Sequence, residues 1–595
     1  MHNDTFEQGA WSLTDLLSAP SGPQLAQFVD ELEDAVAQLE TKRDQLTPEI
    51  PADSFKEIMI FVERINALIS RLGAYSWLWY AGDTQAQEAL AFRGRIEKLL
   101  TEIRNRTLFF ALWWKGLDDG PAGRLLDGSG DNRYYLEALR HLKPHTLSEP
   151  EEQVINLKNV NGVEALVTVY EMITNAFTYR NEIDGEIKEL NRTELATYAQ
   201  DPRPEARAAA YQELNRVFTE HGVVLGQIYQ HVVRDWASEN VTLRRFASPI
   251  SARNRGNDIP DAVVNTLLDV CRDHAKLFQR YYRLKAGWLD MDKLRRCDIY
   301  APLSASDKRY SYSEAANMVL DSLNAFSPTL ANHARRVFDD GHLDSEVRPR
   351  KDIGAFCSSP LPGITPWVLV NYNGQASDVA TLAHELGHAI HALMAAHHSP
   401  LTFRSSLPLA ETASVFAEML LLERMLEQES DPSLRRDILA RFIDGAYATV
   451  MRQAFFTRFE REAHALIEEG ATSDQLAERY LANLHVQFGD AVEVGDEFRW
   501  EWVSIPHFYH TPFYCYAYSF GLLLVLALYR QYQTEGEAFK PKYLRILAYG
   551  GSRSPSEILT EAGIDMASAA FWQGGFDVIA DMIQELEELG SSHSG

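Results

Sequence analysis

Apolar residues along this chain fall mostly at three- and four-residue steps. Leu25, Phe28, Val29, Leu32, Val36 and Leu39 form one such stripe, with Asp30, Glu31, Glu33 and Asp34 between them. That pattern predicts an amphipathic helix with an acidic outer face, closed by Pro48 and Pro51. Long helical patterns follow at about 54–80, 84–115, 150–178 and 203–238. Glycine, proline and aspartate cluster at 118–123 and 127–132, so a subdomain boundary is expected near 116–132. A second polar break spans 248–260 and reads either as a substrate-side loop or as an ordinary connector. Strand signals are few: 296–302, 354–357 and 367–372, the last two bounded by Pro360, Pro362, Gly363 and Gly374. No internal repeat is visible, and the tail at 590–595 is expected to fray.

Length and charge narrow the class. A chain of 595 residues is too long for one core and is expected to form roughly two to four helical subdomains. Lys and Arg number 57 against 84 Asp and Glu, a net charge of −27, which argues against a general nucleic-acid binder or a protein of anionic membranes. With 46% hydrophobic and 24% charged residues, global disorder is excluded too. Cys271, Cys297, Cys357 and Cys515 are far apart and form no CxxC pair, so neither a disulfide scaffold nor a zinc ribbon is expected. The first residues, Met1 to Asp4, do not resemble the basic start of a secretory signal. The longest apolar run, 521–528, is far short of the roughly 18 residues of a membrane span. These features together predict a cytoplasmic protein.

The candidate chemistry lies at His384-Glu385-Leu386-Gly387-His388, an HExxH motif. Two histidines four residues apart on a helix differ by about 40° around its axis, so both rings can reach one metal ion. Glu385 is offset by one residue and reaches a water on the metal rather than the metal itself. Asp378 precedes Val379, Leu382, Leu386, Ile390 and Leu393, an apolar face that puts the back of the helix in a core. His384, His388 and His391 fall on the other side, and Ala383 and Gly387 leave room for a close neighbour. A catalytic zinc needs a third protein ligand. Beyond Pro400 and Pro408 a new helix is expected near Leu409, with Glu411 at its start as that ligand. Glu418 is seven residues further on, either a partner of a ligand histidine or an ordinary helix-face ion pair. His397 and His398 read as surface residues at a helix end.

The segments 381–391 and 411–418 resemble the thimet-oligopeptidase family, most closely its oligoendopeptidase F branch; 350–357, 370–372 and 194–211 are similar to the family's flanking segments. The resemblance covers roughly 115–590. It implies a zincin-like, almost all-helical fold with two lobes around a deep channel and a small sheet beside the active-site helix. It implies one zinc ion held by His384, His388 and Glu411, Glu385 as general base, and cleavage of short peptides rather than folded proteins. The expected organisation is a helical region at 1–115, an oligoendopeptidase F N-terminal-type region at 116–200 and a catalytic domain at 201–590.

A second cluster, 507–521, holds His507, His510, Tyr509, Tyr514, Tyr516 and Tyr518. Such groups can donate to the oxyanion of peptide hydrolysis. The family's His and Tyr-Tyr-x-Tyr pattern is matched loosely, with Phe513 in the first tyrosine's place. The resemblance carries over His507 and Tyr516 as transition-state donors, with Tyr514 and Tyr518 as substitutes. Phe508, Phe513 and Phe520 are assigned to the core. The leading expectation is a zinc endopeptidase for oligopeptides, in which the strand near 368–372 pairs with the substrate backbone. A dipeptidyl carboxypeptidase is the alternative, with Arg253 or Arg255 holding a terminal carboxylate; a non-catalytic peptide binder is the third reading.

Overall fold

The helical periodicity is realised almost throughout. The computed structural model describes residues 4–183, 185–303 and 308–591. The first stripe forms the helix Pro23–Thr41, and the next two patterns form Ala52–Gly82 and Gln87–Gly116. The pattern at 150–178 splits into Glu149–Asn161 and Val163–Asn175. Gly162 makes the break: a Cβ there would stand 2.7 Å from the Lys158 carbonyl oxygen. The segment 248–260 contains a short helix, Pro249–Gly256. The C-terminal helix Ala569–Ser591 includes the start of the tail expected to fray; 592–595 lie outside the described residues, as do 1–3. No helix among the described residues is long and apolar enough to cross a membrane.

The chain folds into two compact units, each built from three stretches of sequence. One comprises Met1–Lys143, Lys308–Gln428 and Gln531–Asp565. Its three long N-terminal helices share a core of Leu32, Val36, Phe55, Ile58, Phe92 and Trp114. Trp367 joins the same core, and its Nε1–H donates to the Ser12 carbonyl at 2.8 Å. Trp367 belongs to a three-stranded sheet in which Trp367–Leu369 is the middle strand. Leu343–Asp344 pairs with it in parallel and Phe356–Ser358 antiparallel. The buried Asp344 carboxylate accepts from Arg348 at 2.7 Å and Lys351 at 2.8 Å, which pins the segment between the two flanking strands. The sheet packs beside the helix Ala376–Met394, as the resemblance implied.

Two strand expectations are corrected here. The middle strand is hydrogen-bonded on both sides, and the Val370 and Tyr372 amides continue onto Asp344 and Ser345. The segment 368–372 therefore has no free edge for a substrate; among the described residues the free antiparallel edge is Phe356–Ser358. In 296–302 only the preceding pair Leu294–Arg295 is strand, and Arg296–Asp298 is a 3₁₀ turn. The buried Asp298 carboxylate draws in the side chains of Arg207 and Arg295, and the chain turns around it.

The second unit comprises Pro144–Asp307, Glu429–Arg530 and Met566–Gly595. Its spine is the helix Pro204–Trp236. Gly222 and Gly226, one turn apart, let the rings of Trp500 and Trp502 lie directly on that helix; a Cβ on Gly222 would stand 2.5 Å from Trp500. A hairpin of Tyr179–Ile183 and Glu186–Leu190 adds strands that the periodicity did not predict. Its turn signal was present as Asp184-Gly185, with Gly185 at φ +83°, but the flanking runs do not alternate between apolar and polar residues.

Candidate metal centre

Asp378 starts the motif helix: its carboxylate accepts the amides of Asn373 at 2.8 Å and Gln375 at 2.9 Å. From there Val379, Leu382, Leu386, Ile390 and Leu393 are all buried, as their spacing predicted. His384 and His388 come off the partly exposed face. Their Nε2 atoms stand 3.2 Å apart, and Glu411 Oε2 lies 3.4 Å from the first and 3.6 Å from the second. Among the described residues this is the one set of His, Cys, Asp or Glu close enough to share a metal ion.

Glu411 does not open a helix. It sits in a turn between the short helix Leu407–Ala410 and the helix Ser414–Gln428. The turn is held three ways. Ser414 Oγ donates to Glu411 Oε2 at 2.7 Å, the Thr412 amide bonds the Leu409 carbonyl, and Tyr543 donates its hydroxyl to the Thr412 carbonyl at 2.9 Å. Gly387 lets this turn reach the motif helix, since a Cβ there would meet Ser414 Cα at 2.5 Å and the Ala413 oxygen at 2.6 Å.

The donor set fits zinc. A tetrahedral ion with ligands at about 2.0–2.1 Å has ligand–ligand edges of about 3.3–3.4 Å, close to the triangle formed by the two imidazole nitrogens and the carboxylate oxygen. His384 Nδ1–H donates to Glu418 at 2.6 Å, which fixes the tautomer and leaves Nε2 facing the other donors. Burial works against protonation of His384, but the bond to Glu418 and the charges of Glu418, Glu411 and Glu385 outweigh it and raise its pKa to about 9. His388 is held below its ordinary value by burial, against Glu411. Glu385 is 6% exposed, and its Oε2 has no protein partner. Burial pushes its carboxyl up to about 7, against the charge of His384 and with help from Glu411 and Glu418. A carboxyl of that kind can take and return a proton near neutral pH.

The other histidines have separate duties. His391 is buried, kept neutral by burial with its pKa lowered to about 4, and stands outside the donor triangle. His398 is not a free surface residue: it bonds Asp131 at 2.6 Å and the Ala548 carbonyl at 3.0 Å.

In the second unit, His507 begins the short helix His507–His510. Its ring stacks parallel to Tyr514 at 6.1 Å, and its Nε2 is 3.3 Å from the Tyr518 hydroxyl. Tyr516 is not part of this group. It is 1% exposed, and its hydroxyl accepts from Asn257 Nδ2 at 2.8 Å. Tyr509 is buried against Tyr170, and Phe508, Phe513 and Phe520 are core. Arg253 Nε donates to the Pro512 carbonyl at 3.0 Å with the guanidinium over Trp236, whereas Arg255 is exposed. The sequence offered Glu418 as a partner of a ligand histidine, and the structure pairs it with His384; it offered Arg253 for a different role, and Asn257 and Glu460 carried no signal in the sequence.

Comparison with known proteins places the chain in a family. The sequence profile of peptidase family M3 matches residues 197–578, and that of oligopeptidase F matches 127–179. Oligopeptidase PepF of Bacillus subtilis is 24% identical over 98% of this chain and 87% of its own. Group B oligopeptidase PepB of Streptococcus agalactiae is 28% identical over 77% of this chain and 76% of its own. A crystal structure from Chlamydophila abortus superposes with a TM-score of 0.87 at 25% identity, covering 98% of both chains. Oligoendopeptidase-F from Enterococcus faecium gives 0.71 at 24% identity, over 96% of this chain and 99% of that one. The chain belongs to peptidase family M3, in its oligoendopeptidase F branch, and is a metalloendopeptidase.

Proposed function

We propose that this metallo-oligopeptidase uses one zinc ion per chain, held by His384, His388 and Glu411, to hydrolyse short, unstructured peptides within the chain. The observation that carries the reading is the triangle of donors beside a buried carboxyl whose second oxygen has no protein partner. When bound, zinc supplies Lewis acidity toward a peptide carbonyl and a water. Glu385 takes the proton from the attacking water and returns it to the leaving amine, for which a pKa near 7 is well matched. Glu418 orients His384 through Nδ1. His507 and a neighbouring tyrosine donate to the oxyanion. Tyr514 and Tyr518, grouped with His507, are better supported in that role than Tyr516, whose hydroxyl is committed to Asn257. An extended substrate adds to the sheet along Phe356–Ser358, the free edge beside the motif helix. The catalytic part is read as 201–590, supported by the profile match over 197–578. The free state of all four cysteines supports a reducing cytoplasm.

Metal analysis combined with cleavage of an internally quenched peptide tests the proposal. One zinc per chain, activity lost to a chelator and restored by zinc, and cleavage of a C-terminally amidated peptide are expected. A metal-free protein that cleaves equally well would refute the metal role, and an absolute need for a free C-terminal carboxylate would favour the dipeptidyl carboxypeptidase reading.

A further inference from the structure

Between His507 and Tyr516 the chain makes a turn that includes an unusual residue. Phe513 has φ +59°, the left-handed region that a bulky side chain rarely adopts. The turn's own hydrogen bonds, Thr511 amide to the His507 carbonyl and Tyr514 amide to the Thr511 carbonyl, do not include the peptide bond between Pro512 and Phe513. That bond is gripped from outside, at both of its polar atoms. Its carbonyl accepts from Arg253 Nε at 3.0 Å, and its N–H donates to Glu460 Oε1 at 2.9 Å. Arg253 comes from the helix Pro249–Gly256 and Glu460 from the helix Arg452–Glu468. Asn257, just beyond the first helix, holds the Tyr516 hydroxyl at 2.8 Å. The Phe513 ring packs 4.4 Å from the ring of His464, one turn after Glu460.

A backbone conformation of this kind persists only where its surroundings over-determine it. Glu460 is 1% exposed, and its other oxygen has no partner, nor has either nitrogen of the buried His464. An ionisable group kept in such surroundings is expensive unless it does something there. What it does is orient one peptide plane, and with it the direction in which the chain leaves His507 for Tyr514 and Tyr518.

We infer that Arg253 and Glu460 are positioning residues, a clamp of one side-chain donor and one side-chain acceptor on the Pro512–Phe513 peptide bond that fixes the relative placement of His507, Tyr514 and Tyr518. The inference rests on the reading of those three as the source of oxyanion donors. The groups facing Glu460 are Arg253, Tyr229 from the helix Pro204–Trp236, and Cys515 from the turn, with His464 one turn along the same helix. Burial pushes its carboxyl up to about 8, while the Phe513 amide and Arg253 act to lower it. An uncharged acceptor of the same shape is therefore expected to serve nearly as well.

The experiment compares Glu460→Leu, Glu460→Gln and Arg253→Ala in the full-length zinc-loaded enzyme, with kcat expressed per bound zinc. Displacing donors by a fraction of an ångström to 1 Å costs up to about 100-fold. Glu460→Leu and Arg253→Ala are expected to lower kcat about 10–100-fold with KM changed less than about 3-fold, and Glu460→Gln to recover most of the loss. A merely structural role would lower the zinc-loaded fraction or the melting temperature alike for Leu and Gln and leave kcat per zinc alone; that result overturns the inference. Should Glu460→Leu not fold, Arg253→Ala, at a partly exposed position, decides the matter by the same criterion. His507→Ala, Tyr514→Phe and Tyr518→Phe are measured alongside. If one of them lowers kcat and the clamp variants do not, the clamp alone is wrong. If none does, the donor reading fails and takes the clamp with it.

Discussion

On the proposed reading, Glu385 and the three metal donors differ in what their loss should do. Glu385→Gln keeps size and one acceptor but removes the proton carrier, so turnover should fall by at least about 100-fold while bound zinc, read by mass spectrometry or atomic emission, stays at the parent level. His384, His388 or Glu411 changed to Ala should lose the metal. Glu418→Ala lies between these cases, because it frees His384 Nδ1 without touching a ligand. Its zinc affinity should drop about 10–100-fold, and an unchanged affinity would make that 2.6 Å bond an ordinary ion pair. For the tyrosines, Tyr514→Phe and Tyr518→Phe compared with Tyr516→Phe decide the oxyanion donor. A fall of about 10²–10³-fold in kcat is expected at one of the first two, and a large effect confined to Tyr516→Phe would restore the earlier assignment. The two histidines of the donor triangle were legible in the sequence because a helix turns spacing into direction. Which tyrosines group with His507 was not legible, because in a loop bent by a positive φ the count along the chain no longer says which ring faces which.

At the scale of elements, Gly387 is the position where the motif helix and the Glu411 turn meet. Gly387→Ala places a methyl 2.5–2.6 Å from Ser414 Cα and the Ala413 oxygen, both backbone. The turn must move, and Glu411 moves with it. Zinc affinity should fall even though no ligand has changed, and a variant that binds zinc like the parent would show that the turn can shift without cost. Helices were easy to read because each buries a continuous stripe. Strands were harder because they are two to five residues long and are fixed by partners remote in sequence. Trp367–Leu369 was rightly a strand, but only the pairing order shows that both its edges are taken and that Phe356–Ser358 carries the free one.

For the whole molecule, extended pairing at a free edge requires a substrate with free main-chain groups. Peptides of roughly 5–20 residues should be cut, and native folded proteins should not; rapid cleavage of a native protein would refute the size limit. Stability should respond to pH through two buried groups near one another. His464 has its pKa lowered to about 3 by burial. The unfolded chain takes up that proton first, so the stability it contributes is present above pH 6.5 and is lost as pH falls toward 3. Glu460 acts in the opposite sense. With its pKa raised to about 8, its contribution is present below pH 4.5 and is lost as pH rises through 8. At pH 5 the histidine effect amounts to at most about 2 kcal/mol. His464→Leu should lose less Tm than the parent between pH 7 and 5, and Glu460→Gln less between pH 6 and 8.5. Parallel Tm–pH curves for parent and variants would exclude these groups as the source.

Each unit is assembled from three separated stretches, and this sets an order of events during synthesis. His388 leaves the ribosome 155 residues before Tyr543, whose hydroxyl holds the Thr412 carbonyl beside Glu411. At about 5–20 residues per second, that gap lasts roughly 8–30 s. Throughout it the nascent chain carries the two histidines of the proposed site but not the anchor that sets Glu411. On the proposed reading, stable capture of an ion should therefore come late, only after Tyr543 has emerged. A chain released before residue 540 should then lack a stable metal centre.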